Sequence, residues 1–171
     1  DKRYFDTRVI LPKYMCMKDE WKGKLQYHTH FYMDLNWRKQ YVGVLEMEYD
    51  GIKFYFIDNE YYFNGYAPYG DMYADIEKFA FFSKAVLSAL PLIDFRPDII
   101  HCHDWQTGLV PIYLDNFRYG NEFYRGIKTV MTIHNLKFQG TWDPKRVRDI
   151  TGLPQYYFAP DKLEAYKDAN Y

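Results

Sequence analysis

A compact strand is predicted by Pro97-Asp98-Ile99-Ile100-His101-Cys102-His103, which is apolar at its centre and ends in polar side chains. Asp104 follows as a residue type that caps helix N-termini, and residues 105–117 carry apolar side chains at helical spacing. A second apolar run over 127–133 ends just before His134. Because a strand, a crossover helix and another strand form the unit of a parallel sheet, the sequence predicts an α/β fold.

The segments on either side of this unit have other periodicities. Residues 73–90 are expected to form a long helix with one apolar stripe, and the first third of the sequence is expected to form an antiparallel or mixed sheet. The predicted elements are strands over 8–12 and 25–33 with a loop over 14–24 between them, a hairpin of 41–49 with 52–57 around Asp50-Gly51, a loop over 59–70, a helix over 73–90, and short polar helices over 144–149 and 160–169.

Composition narrows the function classes. The 171 residues are 48% apolar and 26% charged, as in globular proteins, and no apolar run approaches the length of a membrane span. A net charge of −1 without a basic block argues against nucleic acid and anionic membranes as partners. Cys16 and Cys102 are interpreted as reduced thiols, which predicts a cytoplasmic protein. The sequence begins at Asp1 without a methionine, which suggests a fragment or a processed product. No signal peptide is recognisable at its start.

Aromatic residues are abundant, with 19 Tyr, 13 Phe and 4 Trp. Buried aromatic side chains are ordinary core material, and that interpretation is favoured on composition alone. Tyr and Trp faces also stack on sugar rings and bases, which suggests a carbohydrate or nucleotide site. The aromatic loop that would permit such binding contains Tyr61, Tyr62, Phe63, Tyr66 and Tyr69.

The chemistry is expected where the two parallel strands end. Ligands of open parallel sheets bind outside the carboxyl ends of the strands, so Asp104 and His134 should meet there if the strands are neighbours. Alternatives remain at each position: Asp104 is a helix cap or faces ligand, His134 is a buried histidine or a sugar ligand, and Trp105 is core or a sugar platform.

Other histidines are candidate metal ligands. His101 and His103 share one face of a strand, and with His134 and Asp104 they would be able to form a metal site, although packing is the more common role for such residues. His28 and His30 also share a face, have no evident carboxylate partner in the sequence, and are interpreted as structural. Cys102 is expected to be a small core residue.

Two long motifs resemble one known family. Residues 97–111 and residues 129–140 closely resemble the N-terminal domain of bacterial glycogen synthases and plant starch synthases, the ADP-glucose type of glycosyltransferase family five. Residues 78–85 and 8–14 also look like that family. The resemblance is strong from about Tyr69 to Trp142 and looser elsewhere, and the two motifs have the separation that the family has.

The resemblance implies a retaining glucosyltransferase that moves glucose from ADP-glucose to the non-reducing end of an α-1,4-glucan, without metal or cofactor. It implies the GT-B fold, with two Rossmann-like domains around a cleft. The resemblance places Asp104 beside the reacting centre and His134 on the donor glucose, and these two are the candidate catalytic residues. The candidate substrate-binding residues are Trp105, Gln106, Asn135 and, with a weaker match, Tyr69.

The family pattern also contains parts that this sequence lacks. A first strand, a Lys-x-Gly-Gly-Leu loop that cradles the nucleotide diphosphate, and a C-terminal domain are absent. Residues 1–171 are therefore interpreted as a partial N-terminal Rossmann-like domain that is inactive alone. Loss of the first strand is expected to leave a hole or two exposed sheet edges, which would permit self-association.

Several alternatives stay open from the sequence. One is a non-catalytic carbohydrate-binding module, and another is a GT-B enzyme with a different sugar nucleotide, such as UDP-glucose. A metal hydrolase that uses His101, His103 and His134 is the third. The choice between glycogen and starch as the product, the preferred acceptor length and the regulation do not follow from these residues.

Overall fold

The computed structural model describes residues 4–171, which divide into two compact units. The first unit comprises residues up to Met33 together with Gln40–Gly70, and the second comprises Asp34–Lys39 with Asp71–Tyr171. The elements, in chain order, are β1 (Arg8–Pro12), α1 (Asp19–Lys22), β2 (Gln26–Leu35), β3 (Arg38–Tyr49), β4 (Ile52–Asp58), α2 (Glu60–Phe63), α3 (Met72–Ala89), β5 (Ile99–His103), α4 (Leu109–Arg118), β6 (Lys128–Thr132), β7 (Thr141–Trp142), α5 (Pro144–Thr151), β8 (Glu164–Ala165) and β9 (Asp168–Asn170).

The first unit is built on a four-stranded mixed sheet in the order β1-β4-β3-β2. β1 runs parallel to β4, and β3 runs antiparallel to β4 with Tyr49 opposite Ile52. Asp50 and Gly51 form the connecting turn at φ values of 50° and 66°, as an Asp-Gly hairpin requires. The predicted hairpin and mixed sheet are confirmed.

Two segments of the first unit that the sequence predicts as loops contain short helices instead. One is α1, within the predicted 14–24 loop. The other is α2, which begins after Asn59: the buried side chain of Asn59 accepts a hydrogen bond from the Tyr62 N–H and donates one to the Tyr41 carbonyl at 2.8 Å. This N-cap ties the helix to β3, a tertiary contact that local sequence does not reveal.

The second unit contains the predicted β-α-β unit. β5 and β6 pair in parallel, with His101 opposite Val130 and His103 opposite Thr132. The predicted helix is confirmed as α3, which packs against α4 and α5. The residues of its predicted apolar stripe are buried, and so are most of the residues outside the stripe. Charged side chains enter its buried faces because they are ion-paired there, as Lys78 is with Asp75.

The end of the chain departs from the expected pattern. The helix predicted over 144–149 is present as α5, which Asp143 caps through the Arg146 N–H. The helix predicted over 160–169 is wrong, because that segment forms the antiparallel pair β8–β9, and β9 also pairs with β7.

The strand orders show that β1 and β5 are each at an edge of their sheet. Within residues 4–171, β1 has β4 as its single strand neighbour, and β5 has β6. Each therefore has one edge without a strand partner in the part of the chain that the structure describes. The expected hole or exposed edges, and the self-association they would permit, stay predictions.

Candidate functional site at the ends of β5 and β6

Asp104 has a strained backbone. It lies directly after β5 at φ 56° and ψ −179°, a combination that is essentially restricted to glycine. Two of its main-chain groups are held: its N–H donates to the Thr132 carbonyl at 2.9 Å, and its carbonyl accepts from the Thr107 N–H at 3.1 Å. Strain of this kind persists only where neighbouring groups enforce the conformation, and it is common at functional sites.

The Asp104 side chain reaches across to the end of β6. Its Oδ1 accepts a hydrogen bond from the His134 N–H at 2.7 Å. The side chain makes no cap bond, because a 3-10 turn over Trp105–Thr107 follows and α4 begins only at Leu109. The helix-cap alternative for Asp104 is therefore wrong, whereas the predicted meeting of Asp104 and His134 is confirmed.

Histidine rings line one side of this edge. His103 Nδ1 lies 3.0 Å from His134 Nε2, and His101 Nε2 lies 2.7 Å from Thr132 Oγ1. The rings of His101 and His103 lie 4.2 Å apart between centroids, so the predicted shared face is confirmed. Because two facing imidazole nitrogens share one proton in a hydrogen bond, the His103 contact fixes which edge of the His134 ring remains open.

The metal alternative finds no support in this geometry. Within residues 4–171, no group of three or more His, Cys, Asp or Glu side chains is placed to hold a metal ion. The carboxylate of Asp104 is turned to a backbone N–H, and His101 is turned to a threonine hydroxyl. Cys102 is buried as expected, and burial raises the pKa of its thiol to about 11, which suppresses the reactive thiolate.

Trp105 is core rather than an open platform. It is 8% exposed and packs edge-on against Phe79 of α3, with 5.0 Å between ring centroids. Gly140 allows this packing, since a Cβ there would lie 2.3 Å from the Trp105 ring and 3.0 Å from Cβ of Tyr171. Trp105 therefore anchors the turn that follows Asp104 to α3.

The other candidate residues of the second unit surround this pair. Gln106 is half-buried, and its carbonyl accepts from the Ser83 hydroxyl at 3.4 Å. Asn135 is exposed, and its Oδ1 accepts from the Lys137 N–H at 3.0 Å, which shapes the turn after β6. The sequence predictions missed Thr107, whose hydroxyl donates to the carbonyls of His103 and Asp104 at 2.9 and 3.1 Å.

Tyr69 belongs to the first compact unit and is 59% exposed. In the same loop Tyr61 and Tyr66 are exposed, whereas Tyr62 and Phe63 are buried. The aromatic platform proposed for this loop is therefore reduced to three tyrosines. His28 also differs from expectation, because its Nδ1 lies 3.2 Å from a carboxylate oxygen of Glu46.

Comparison with known proteins identifies the family. The family model described as the starch synthase catalytic domain matches residues 1–171. The chain belongs to this family. It is 69% identical over 171 residues to a glycogen synthase of Lachnoclostridium phytofermentans and 66% identical to one of Lachnospira eligens, covering 36% of each. With a glycogen synthase of Geobacillus stearothermophilus it shares 49% identity over 162 residues, 33% of that protein.

A solved member of the family has the same fold. The catalytic domain of starch synthase IV from Arabidopsis thaliana, bound to ADP and acarbose, aligns with 99% of this chain at a TM-score of 0.80 and 25% identity. The match covers 35% of that chain, and the present chain spans about a third of the length of the curated relatives. The predicted resemblance and the α/β fold of a GT-B starch synthase catalytic domain are confirmed. Among residues 4–171, no helix has the length and apolarity that crossing a membrane requires.

Proposed function

We propose that the protein containing this chain transfers glucose from ADP-glucose to the non-reducing end of an α-1,4-glucan, with retention of the anomeric configuration. The observation that carries the proposal is the 2.7 Å hydrogen bond between the His134 N–H and the Asp104 carboxylate at the carboxyl ends of two parallel strands. The family and the ADP and acarbose bound to starch synthase IV support a nucleotide-sugar donor and a glucan acceptor.

The proposed role of Asp104 is electrostatic. As the bond from the sugar to the nucleotide breaks, positive charge develops at the anomeric carbon. A carboxylate held rigidly by the His134 N–H stabilises that charge without having to reorganise during the reaction. Oδ1 is engaged with the N–H, and we assign Oδ2 to the substrate side.

The proposed role of His134 is to hold the donor glucose. Its Nε2 faces His103 Nδ1, so Nδ1 and the main-chain carbonyl are the groups left for sugar hydroxyls. Gln106 and Asn135 would complete the sugar contacts, and buried Trp105 would support the turn that carries Gln106. Tyr69 of the first unit stays a candidate substrate-binding residue. The reaction requires no metal or cofactor in this proposal.

The remaining two-thirds of the enzyme would supply most of the nucleotide site. The chain covers 36% of its glycogen synthase relatives, so we expect residues 1–171 alone to transfer no glucose. Exposed Cys16 and buried Cys102 are both free thiols, which supports the proposal that the enzyme works in the cytoplasm.

The test measures transfer of labelled glucose from ADP-glucose to glycogen by the full-length enzyme. Asp104→Asn preserves the shape of the side chain and removes its charge, so kcat should fall by roughly 100-fold or more. Asp168→Asn, the same change at an exposed position of β9, should leave kcat within about twofold. His134→Ala should raise KM for ADP-glucose as well as lower kcat.

Other outcomes would favour the alternatives. Glucan binding without transfer by the wild-type enzyme would indicate a carbohydrate-binding module, with the exposed tyrosines of the 59–70 loop as its platform. A higher kcat/KM with UDP-glucose than with ADP-glucose would identify a different donor. Full activity of Asp104→Asn would refute the role proposed for the carboxylate.

A further inference from the structure

A separate cavity of about 470 Å³ lies at the C-terminal end of α5, within the second compact unit. Four of its seven lining residues are polar or charged, and Gly152, Leu153 and Pro154 complete the wall. None of the seven belongs to the site at the ends of β5 and β6. The lining residues with polar or charged side chains are Asn36, Lys145, Arg148 and Asp149.

The one acid in this lining is already neutralised. Asp149 accepts from Arg38 Nη2 at 3.0 Å and from the Trp37 indole N–H at 3.1 Å, and Arg146 Nη1 lies 3.8 Å away. The Arg38 and Trp37 hydrogen bonds hold the pKa of Asp149 below its usual value. Glu77 is in turn paired with Arg38 at 3.3 Å and with Arg146 at 3.2 Å, so two arginines balance two carboxylates.

Two further cations line the cavity without an acid partner. Within residues 4–171, no carboxylate forms an ion pair with Lys145 or Arg148, and Arg148 Nη1 donates instead to the neutral Gln155 Oε1 at 2.8 Å. These cations lie three residues apart on α5, where like charges repel each other. The cluster therefore carries two uncompensated positive charges around one cavity.

Helix electrostatics explain only part of this arrangement. Arg148 lies in the last turn of α5, where a cation is favourable beside the C-terminal carbonyls. Lys145 lies one turn earlier and gains nothing from that effect. The helix end contributes roughly half a negative charge, so the balance at the cavity stays positive.

We propose that this cavity binds a phosphate dianion, either free phosphate or the phosphate group of a small phosphorylated metabolite. A phosphate monoester carries about −1.5 to −2 charges near neutral pH, which matches the two free cations. Lys145 and Arg148 would donate charge-assisted hydrogen bonds to its oxygens. The cavity has room beyond one phosphate, which permits a sugar-sized group to be attached.

The test uses the full-length enzyme and equilibrium dialysis with radiolabelled inorganic phosphate. Lys145→Ala and Arg148→Ala should each weaken phosphate binding by about tenfold, and the double variant should weaken it further. The matched control is the double variant Lys18→Ala/Arg125→Ala. It removes the same charge from side chains that are 80% and 65% exposed, and it should leave the affinity within about twofold.

A second measurement identifies the source of the phosphate and keeps the test independent of folding. Glucose 6-phosphate is compared with inorganic phosphate and with glucose as competitors in the wild-type enzyme. Stronger competition by the sugar phosphate assigns the cavity to a phosphorylated metabolite, and equal competition assigns it to free phosphate. Three outcomes would overturn the proposal. These are displacement of the label by glucose but by neither phosphate compound, phosphate binding that is unchanged in the Lys145/Arg148 double variant, and the lack of saturable phosphate binding by the wild-type enzyme. None of these readouts uses glucose transfer.

Discussion

The backbone strain at Asp104 can be measured by comparing two substitutions, Asp104→Gly and Asp104→Ala. Both remove the carboxylate and its hydrogen bond to the His134 N–H, so that loss cancels in the comparison. They differ in backbone freedom: at φ 56° and ψ −179° alanine keeps the strain and glycine relieves it.

The expected magnitude follows from two opposing contributions. A residue held in such a region stores about 1–3 kcal/mol, which glycine releases. Glycine also loses more conformational entropy on folding than alanine, at a cost of about 0.5–1 kcal/mol. Asp104→Gly should therefore be more stable locally than Asp104→Ala by about 1 kcal/mol and by at most about 2.5 kcal/mol, the reverse of the order at ordinary positions.

The assay is hydrogen exchange of the β5 and β6 amides in the full-length protein, read by mass spectrometry. That difference in free energy corresponds to about fivefold, and at most about seventyfold, greater protection in Asp104→Gly than in Asp104→Ala. The control is the same pair of substitutions at Tyr119, an exposed residue at φ −72°, where alanine should be at least as stable as glycine. Greater protection in Asp104→Ala would refute the inference that the site stores strain. Both Asp104 variants should lose glucose transfer, since each lacks the carboxylate.

Three further predictions test other parts of the chain. Glu77→Ala should destabilise the protein by about 1.5–3 kcal/mol in urea unfolding, because Arg38 and Arg146 lose their shared carboxylate but keep Asp149 as a partner. Glu122→Ala, at an exposed ion pair, should cost under about 1 kcal/mol. Because the pKa of Asp149 is lowered in the folded protein, its ion pair stabilises the fold at pH values above the usual carboxyl pKa, and this stabilisation is lost as the pH falls through the lowered pKa. Asp149→Asn should therefore make the free energy of unfolding depend less on pH in this acid range. An unchanged pH dependence would contradict the assignment. Iodoacetamide at pH 8 should label exposed Cys16 and spare Cys102, as peptide mapping would show, and equal labelling would contradict the burial of Cys102.

Much of the fold was predictable because its signals are local. The Asp50-Gly51 pair predicts a hairpin since both residues tolerate positive φ, and the apolar runs around 97–103 and 127–133 predict two parallel strands. The hairpin of β8 and β9 was not predictable in this way. Its turn places Tyr166 and Lys167 at φ values of 54° and 75°, and neither residue type signals such a turn.

The candidate site was predictable in its position but less so in its contacts. The topology of a parallel sheet brings Asp104 and His134 to the same edge, whichever bonds they make. Asp104 accepts a backbone N–H instead of capping a helix because it combines a positive φ with an extended ψ. Its neighbours hold that conformation: Thr107 donates to its carbonyl, and Trp105 anchors the following turn to α3. Such tertiary constraints leave no periodic pattern in a single sequence.

The pairing of β5 with β6 also determines which changes in chain length this enzyme family can tolerate here. The Asp104 N–H donates to the Thr132 carbonyl and so continues the pairing of β5 with β6. Residues inserted between Arg118 and Lys128 leave that pairing unchanged, because they only enlarge the loop before β6. Deletion of one residue inside β6 would instead place a backbone N–H other than that of His134 at the Asp104 carboxylate. It would also turn every following side chain of the strand to the opposite face. The length of the crossover is thus open to variation, while the number of residues from the start of β6 to His134 is not.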